Sequence, residues 1–175
     1  MIPGQEKNKK EIEVTVHGVM PDPASDSHIL LLRPAKDAGD GVLSIWIGTP
    51  EANAIRAGID MAKEFDSVER FPWPLPQVAP SPLRPLTHDL TGNILSYLKL
   101  PLKKVLIHRV DQGTFFANLE FSHRGSEMLI DARPSDAVAL ALRMKAPVYI
   151  REDVYLSQQT LLSQTPAPKL PQKPV

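Results

Sequence analysis

The stretch Glu127-Met-Leu-Ile-Asp-Ala-Arg-Pro-Ser-Asp-Ala-Val-Ala-Leu-Ala-Leu-Arg143 reads in two registers. Its first half, up to Ala132, is the short apolar run of a strand, and its second half, from Pro134 to Met144, is an alanine- and leucine-rich helix with proline at its start. A strand that turns into a helix through Asp131-Ala-Arg-Pro-Ser-Asp136 calls for a mixed α+β fold. Working backwards, Val105 to Val110 and Thr114 to Phe121 form a hairpin around Asp111-Gln-Gly113, so three strands precede this helix. An earlier part of the chain has the same plan. Glu11 to Val19 alternates Ile12, Val14 and Val16 with Glu13, Thr15 and His17, the period of a half-buried strand. His28 to Arg33 is a continuous apolar run, expected to be buried on both faces. Val42 to Ile47 is a third strand, and Thr49-Pro-Glu51 then starts a helix with Thr49 as its cap and Ala52, Ile55 and Ile59 as its buried stripe.

Sliding the sequence by 85 positions places Ile45 on Ile130, Glu51 on Asp136, Ala52 on Ala137, Ala54 on Ala139 and Ile55 on Leu140. The expected fold is therefore a duplicated three-strand, two-helix unit forming one compact α+β domain. Its halves run from about 11 to 100 and from 101 to 163. The second helix of the first half is capped by Thr87, carries Leu90, Ile94, Leu95 and Leu98, and stops at Pro101. Its counterpart, Asp153 to Leu162, follows a short strand from Pro147 to Ile150. Residues 1–10 are polar and read as a flexible start. The proline cluster from Phe71 to Pro82 is a loop pinned by Trp73, and 164–175 is a disordered proline-rich tail.

Composition narrows the function. Twenty basic and 20 acidic residues cancel, so no global field draws the chain to nucleic acid or to an anionic membrane. Lys103, Lys104 and Arg109 form only a small basic patch. Cysteine is absent, which removes disulfides, thiolate metal sites and thiol nucleophiles and suits a reducing, cytoplasmic location. No run approaches the roughly 20 apolar residues of a membrane span, so no membrane partner is expected.

Three segments are denser in functional side chains than a core requires: Ile45 to Glu51, Arg84 to Leu90 and Asp131 to Arg143. The phrases Arg84-Pro-Leu-Thr-His-Asp-Leu90 and Asp131-Ala-Arg-Pro-Ser-Asp-Ala-Val-Ala-Leu-Ala-Leu-Arg143 resemble the signatures of the bifunctional nuclease domain family, over about residues 11 to 160. Two departures stand out: Ser44, where the family more often has proline, and the long proline loop. The resemblance implies a compact α+β fold with an internal duplication, a homodimer, and DNase and RNase activity of low specificity.

Phosphodiester cleavage calls for a nucleophilic water, a cation over the phosphate and commonly a divalent metal on carboxylates. Asp131, Asp136, His88 and Asp89 are the catalytic candidates. Asp131, Asp136 and Glu51 are the candidate ligands, whose oxygen atoms suit Mg²⁺ or Mn²⁺ rather than zinc. Arg84 and Arg133 are candidates to grip phosphate two-pronged, and His88 to transfer protons near neutral pH. Nucleic acid would bind weakly and with strong salt dependence.

Each residue also has a structural explanation. Asp136 suits the first turn of a helix through the dipole alone, Asp131 and Arg133 suit a buried ion pair joining the halves, and His88 suits the cover of a helix start. Ser135 reads as a cap rather than a nucleophile, and Trp46 as a core or dimer contact rather than a base-stacking ring. A non-catalytic binding or regulatory module, including an anion or small-molecule sensor, is the alternative function.

Overall fold

A computed structural model describes residues 10–35, 41–66, 84–123 and 125–164. The first nine residues, the proline cluster with Trp73 and the tail beyond residue 164 lie outside them. The described elements are β1 (Glu11–Pro21), β2 (His28–Pro34), β3 (Leu43–Ile47), α1 (Thr49–Asp66), α2 (Thr87–Tyr97), β4 (Leu102–Asp111), β5 (Thr114–His123), β6 (Ser126–Ala132), α3 (Pro134–Met144), β7 (Val148–Arg151) and α4 (Glu152–Gln164). The fold is mixed, with these four helices against one seven-stranded sheet ordered β3-β2-β1-β7-β4-β5-β6.

Two antiparallel meanders, β1-β2-β3 and β4-β5-β6, make up most of the sheet, and each leads into a helix. The β4–β5 turn is tight because both central residues, Gln112 and Gly113, take positive φ (48° and 79°), the geometry of a two-residue primed hairpin. β7 lies between the meanders, antiparallel to β1 and parallel to β4. It has no counterpart among the described residues of the first meander.

Strand alternation sorts the side chains. Ile12, Val14, Leu30, Leu32, Val105, Ile107, Ala117, Phe121, Val148 and Ile150 are buried on one face, together with the α3 alanines. α1 and α2 both pack on α3, α3 on β4 and β5, and α1 on β1 and β2. α4 touches β3, β4 and β7, although β2, β1 and β7 separate β3 from β4 in the sheet order. One helix can reach both strands only because the sheet curls. Tyr155 of α4 is buried, and its hydroxyl donates to the carbonyl of Gly41 just before β3, at 3.0 Å. β2 was expected to be buried on both faces, but Leu30 and Leu32 are buried while Ile29 and Leu31 are only half-buried.

The helix starts differ from the sequence reading by one or two residues. α1 closes its first turn with Ala52 N–H on the Gly48 carbonyl, so Thr49 is not the cap and its hydroxyl donates to Asp26 instead. α2 is capped at Leu86, not Thr87, because the Asp89 carboxylate accepts the Leu86 N–H at 2.7 Å. α3 is capped at Arg133, and Ser135 is buried inside its first turn. Pro134 explains this, since proline favours the first helical position, which puts the cap at Arg133, two residues before Ser135.

Candidate functional site at the junction of three helix starts

The first turns of α1, α2 and α3 converge. Arg133, at the start of α3, donates from Nη1 to Glu51 Oε1 of α1 at 2.9 Å and from Nε to Asp136 Oδ2 at 2.6 Å. The other oxygen of Asp136 faces His88 Nε2 of α2 at 3.3 Å. Four predicted residues, Glu51, His88, Arg133 and Asp136, thus form one chain of contacts. Their proximity follows from helix geometry: each acid sits in a first turn, where exposed backbone N–H groups favour it. Gly48 makes room for the arrangement, because a Cβ there would lie 2.5 Å from Glu51 Oε2. The Asp136 hydrogen bond and charge, followed by those of Glu51, raise the Arg133 pKa above its ordinary value. The Arg133 side chain nonetheless stays two-thirds exposed and open to a ligand, whereas His88 and Glu51 are mostly covered.

Asp89 faces inward. One of its oxygens caps α2 and the other pairs with Arg143 Nε of α3. Arg143 is 3% exposed, and its Nη1 also donates to the carbonyls of Ala54 (3.0 Å) and Ala139 (2.8 Å). Gly58 permits this approach: a Cβ there would lie 3.0 Å from Arg143 Nη1 and from Leu142 Cβ. Arg143 was not among the residues singled out from the sequence. Its signal was its place as the last residue of the long motif phrase, where a charge ends an otherwise apolar helix face.

Two candidates lie apart. Asp131 pairs across the sheet with Asn118, whose neighbour Ala117 faces the core, so Asp131 points to the side of the sheet away from α3. It makes no pair with Arg133, which binds Glu51 and Asp136 instead, so the expected buried Asp131–Arg133 link is not formed. Arg84 is exposed ahead of α2 and makes no hydrogen bond or ion pair among the described residues. Nor is the expected basic patch free. Lys104 pairs with Glu11 and Glu120, at 2.7 and 3.4 Å. Arg109 pairs with Asp111 at 3.0 Å and stacks on Phe116.

The carboxylates do not fit a divalent cation as they stand. Among the described residues no three His, Asp or Glu side chains group to hold a metal. Glu51 and Asp136 share Arg133, Asp89 is taken by Arg143, and Asp131 faces the other way. What this junction offers chemically is an imidazole held against a carboxylate, beside an open guanidinium. Among the described residues no helix is long and apolar enough to cross a membrane.

Two Mycobacterium tuberculosis proteins, "Uncharacterized protein MT1877" of strain CDC 1551 / Oshkosh and "Uncharacterized protein Rv1829" of strain ATCC 25618 / H37Rv, are each 41% identical over 150 residues. That alignment covers 86% of this chain and 77% of each relative. Residues 76–163 match the bifunctional nuclease domain. Both motif phrases fall within that match, and they meet twice in space, as His88 with Asp136 and as Asp89 with Arg143. On the residues, the contacts between them and the match, this chain belongs to the bifunctional nuclease domain family.

Proposed function

We propose that the protein cleaves phosphodiester bonds in nucleic acid with low sequence specificity, at the junction of α1, α2 and α3. The observation that carries this reading is His88 Nε2 held on Asp136 beside the open Arg133 guanidinium. The family's description supports it. In this scheme Asp136 holds and orients the imidazole through Nε2. His88 then takes a proton from the attacking oxygen, either a water or the 2′-hydroxyl of RNA, and returns one to the leaving oxygen. Arg133 meets the phosphate, with Arg84, exposed ahead of α2, as a second cation. A neutral protein gripping a few phosphates binds weakly, and salt weakens it further.

The test uses rigorously purified protein on single- and double-stranded DNA and RNA, with Mg²⁺, Mn²⁺ or EDTA, beside a folded His88→Gln variant. The substitution is expected to lower cleavage by about 10²- to 10⁴-fold, the usual worth of a proton-transfer group. Equal activity in both proteins would sink the assignment, and the EDTA arm decides whether a metal takes part.

One observation favours a second reading, a non-catalytic binding or regulatory module. Glu51, Asp89, Arg133, Asp136 and Arg143 are all partnered within the protein. That reading expects no cleavage above a contaminant control, but a rise in melting temperature when an anionic ligand such as inorganic phosphate binds.

A homodimer and a cytoplasmic location belong to the same proposal. The dimer is supported by an exposed apolar stripe on α2, Leu86, Leu90, Ile94 and Leu98. The location is supported by the cysteine-free sequence. The matching positions of Glu51 and Asp136, both acids in a helix's first turn and both bound to Arg133, support an internal duplication.

A further inference from the structure

Arg143, at the end of the longer motif, takes no part in the proton-transfer scheme. Arg143 is almost fully buried, 3% exposed, and lies between three helices. Nε pairs with Asp89 of α2, while Nη1 donates to Ala54 of α1 and to Ala139 of α3. Nη2 is buried and has no hydrogen-bond partner among the described residues. For stability alone this is a poor arrangement. Burying a guanidinium costs several kcal/mol, an unmade donor adds to that, and a well-packed apolar replacement is often no worse. What an apolar side chain cannot do is fix a carboxylate in direction. Asp89 is held at both oxygens, by Arg143 on one and by the Leu86 N–H on the other. The second contact is the cap of α2, and the residue between Leu86's cap and Asp89 that faces α3 is His88, with Nε2 on Asp136.

We infer that Arg143 is a positioning residue: through Asp89 it locks the first turn of α2 against α3 and so aims His88 at Asp136. This rests on the proposed role of His88 for its catalytic consequence, but not for its geometry. Lysine would keep the charge at position 143 and lose the fork that reaches Asp89 and the Ala54 carbonyl together. Gly58 belongs to the same device, since its missing side chain is what lets Nη1 reach α1.

The experiment compares the full chain with Arg143→Met, Arg143→Lys, Asp89→Asn and a distant core control, Ile150→Ala. All are studied well below their melting temperatures. The side-chain ¹⁵N resonances of His88, assigned with His88→Gln, report whether its ring still meets Asp136. Arg143→Met and Asp89→Asn are expected to move these resonances to solvent-like values. In an active enzyme they are also expected to lower kcat at least tenfold, with KM changed less than twofold. Arg143→Lys should recover part of both effects. Ile150→Ala should lose as much melting temperature and shift neither. Unchanged His88 resonances in folded Arg143→Met or Asp89→Asn overturn the inference, as does an equal shift in the Ile150→Ala control. If the wild-type protein cuts nothing, the nuclease reading falls, and the resonances still decide the role of Arg143.

Discussion

Asp136 and Asp131 are five positions apart in one motif, yet they ended on opposite sides of the sheet. The sequence exposed the first correctly, because a carboxylate two residues after a helix-starting proline has one natural place, the first turn. It concealed the second. Met128, Leu129 and Ile130 are apolar whichever way they point, so the run carries no alternation to show which side Asp131 takes. Arg143 was hidden for a different reason: a charged residue in the last turn of a helix is ordinarily solvated, and only the approach of α1 and α2 buries it. A pH effect can be read at this scale on the far edge of the sheet. The Asp22 carboxylate accepts bonds from the Ala24 N–H, from Ser25 and Ser27, and from the Trp46 indole N–H at 3.2 Å. The Ala24 backbone bond and then the Ser25 bond are the main causes that hold its pKa below the ordinary 3.8. With the folded value depressed, the stabilisation is complete above 3.8 and is lost as pH falls through the lower folded value. The Trp46 indole N–H resonance is therefore expected to move with a midpoint below pH 3.8. A midpoint at or above 3.8 in an NMR titration would contradict this.

Among the elements, strands and helices were legible because their periods differ, and the hairpin at Gln112-Gly113 because its turn chemistry is distinctive. Which face each helix buries was less clear. In α2 the large apolar residues Leu90, Ile94 and Leu98 repeat at helical spacing, yet they are about half exposed, while Gly92 is the buried residue. Hydrophobicity alone ranks a glycine low for burial. Here it sits where the helix backbone approaches Leu140 and Met144 of α3. The space at the two helix glycines differs enough to give opposite outcomes. A Cβ on Gly92 would meet Met144 and Leu140 at 3.8 and 3.9 Å, ordinary contact distances. Gly92→Ala is thus expected to raise stability by about 0.5 to 1 kcal/mol through helix propensity. A Cβ on Gly58 would press on Leu142 Cβ and Arg143 Nη1 at 3.0 Å, so Gly58→Ala should lower stability despite the same propensity gain. Urea unfolding of the two variants measures both signs.

On the scale of the whole molecule, the sequence announced two strand meanders, each followed by a helix, and could not say how they join. Pairing between distant strands leaves little local trace, and a run as short as Val148–Arg151 names no partner. The surface left by the fold bears on assembly. Leu86, Leu90, Ile94 and Leu98 repeat every fourth residue, symmetrically about Gly92, and no charged residue lies between Leu90 and Leu98. Such a stripe is self-complementary under a two-fold axis, because along an antiparallel helix pair position 90 meets position 94 of the second copy and position 86 meets position 98. The chain is expected to sediment as a dimer, and Ile94→Asp, by placing a charge near the centre of that contact, as a folded monomer. A monomeric wild type, or a variant that stays dimeric, would remove α2 as the interface.

β7 also governs how the molecule comes into being. Glu11 to Val14 pair with Arg151 to Val148, so β1 must wait for a strand that is made long after it, beyond both meanders. Each meander can close on its own as it emerges, through contacts near in sequence. The sheet becomes continuous only when four late residues slip between β1 and β4 and bond to both. Closing so long a loop is entropically slow. Until β7 has formed, the nascent protein is therefore two half-sheets with bare inner edges, and pairing of β7 is the step that seals them.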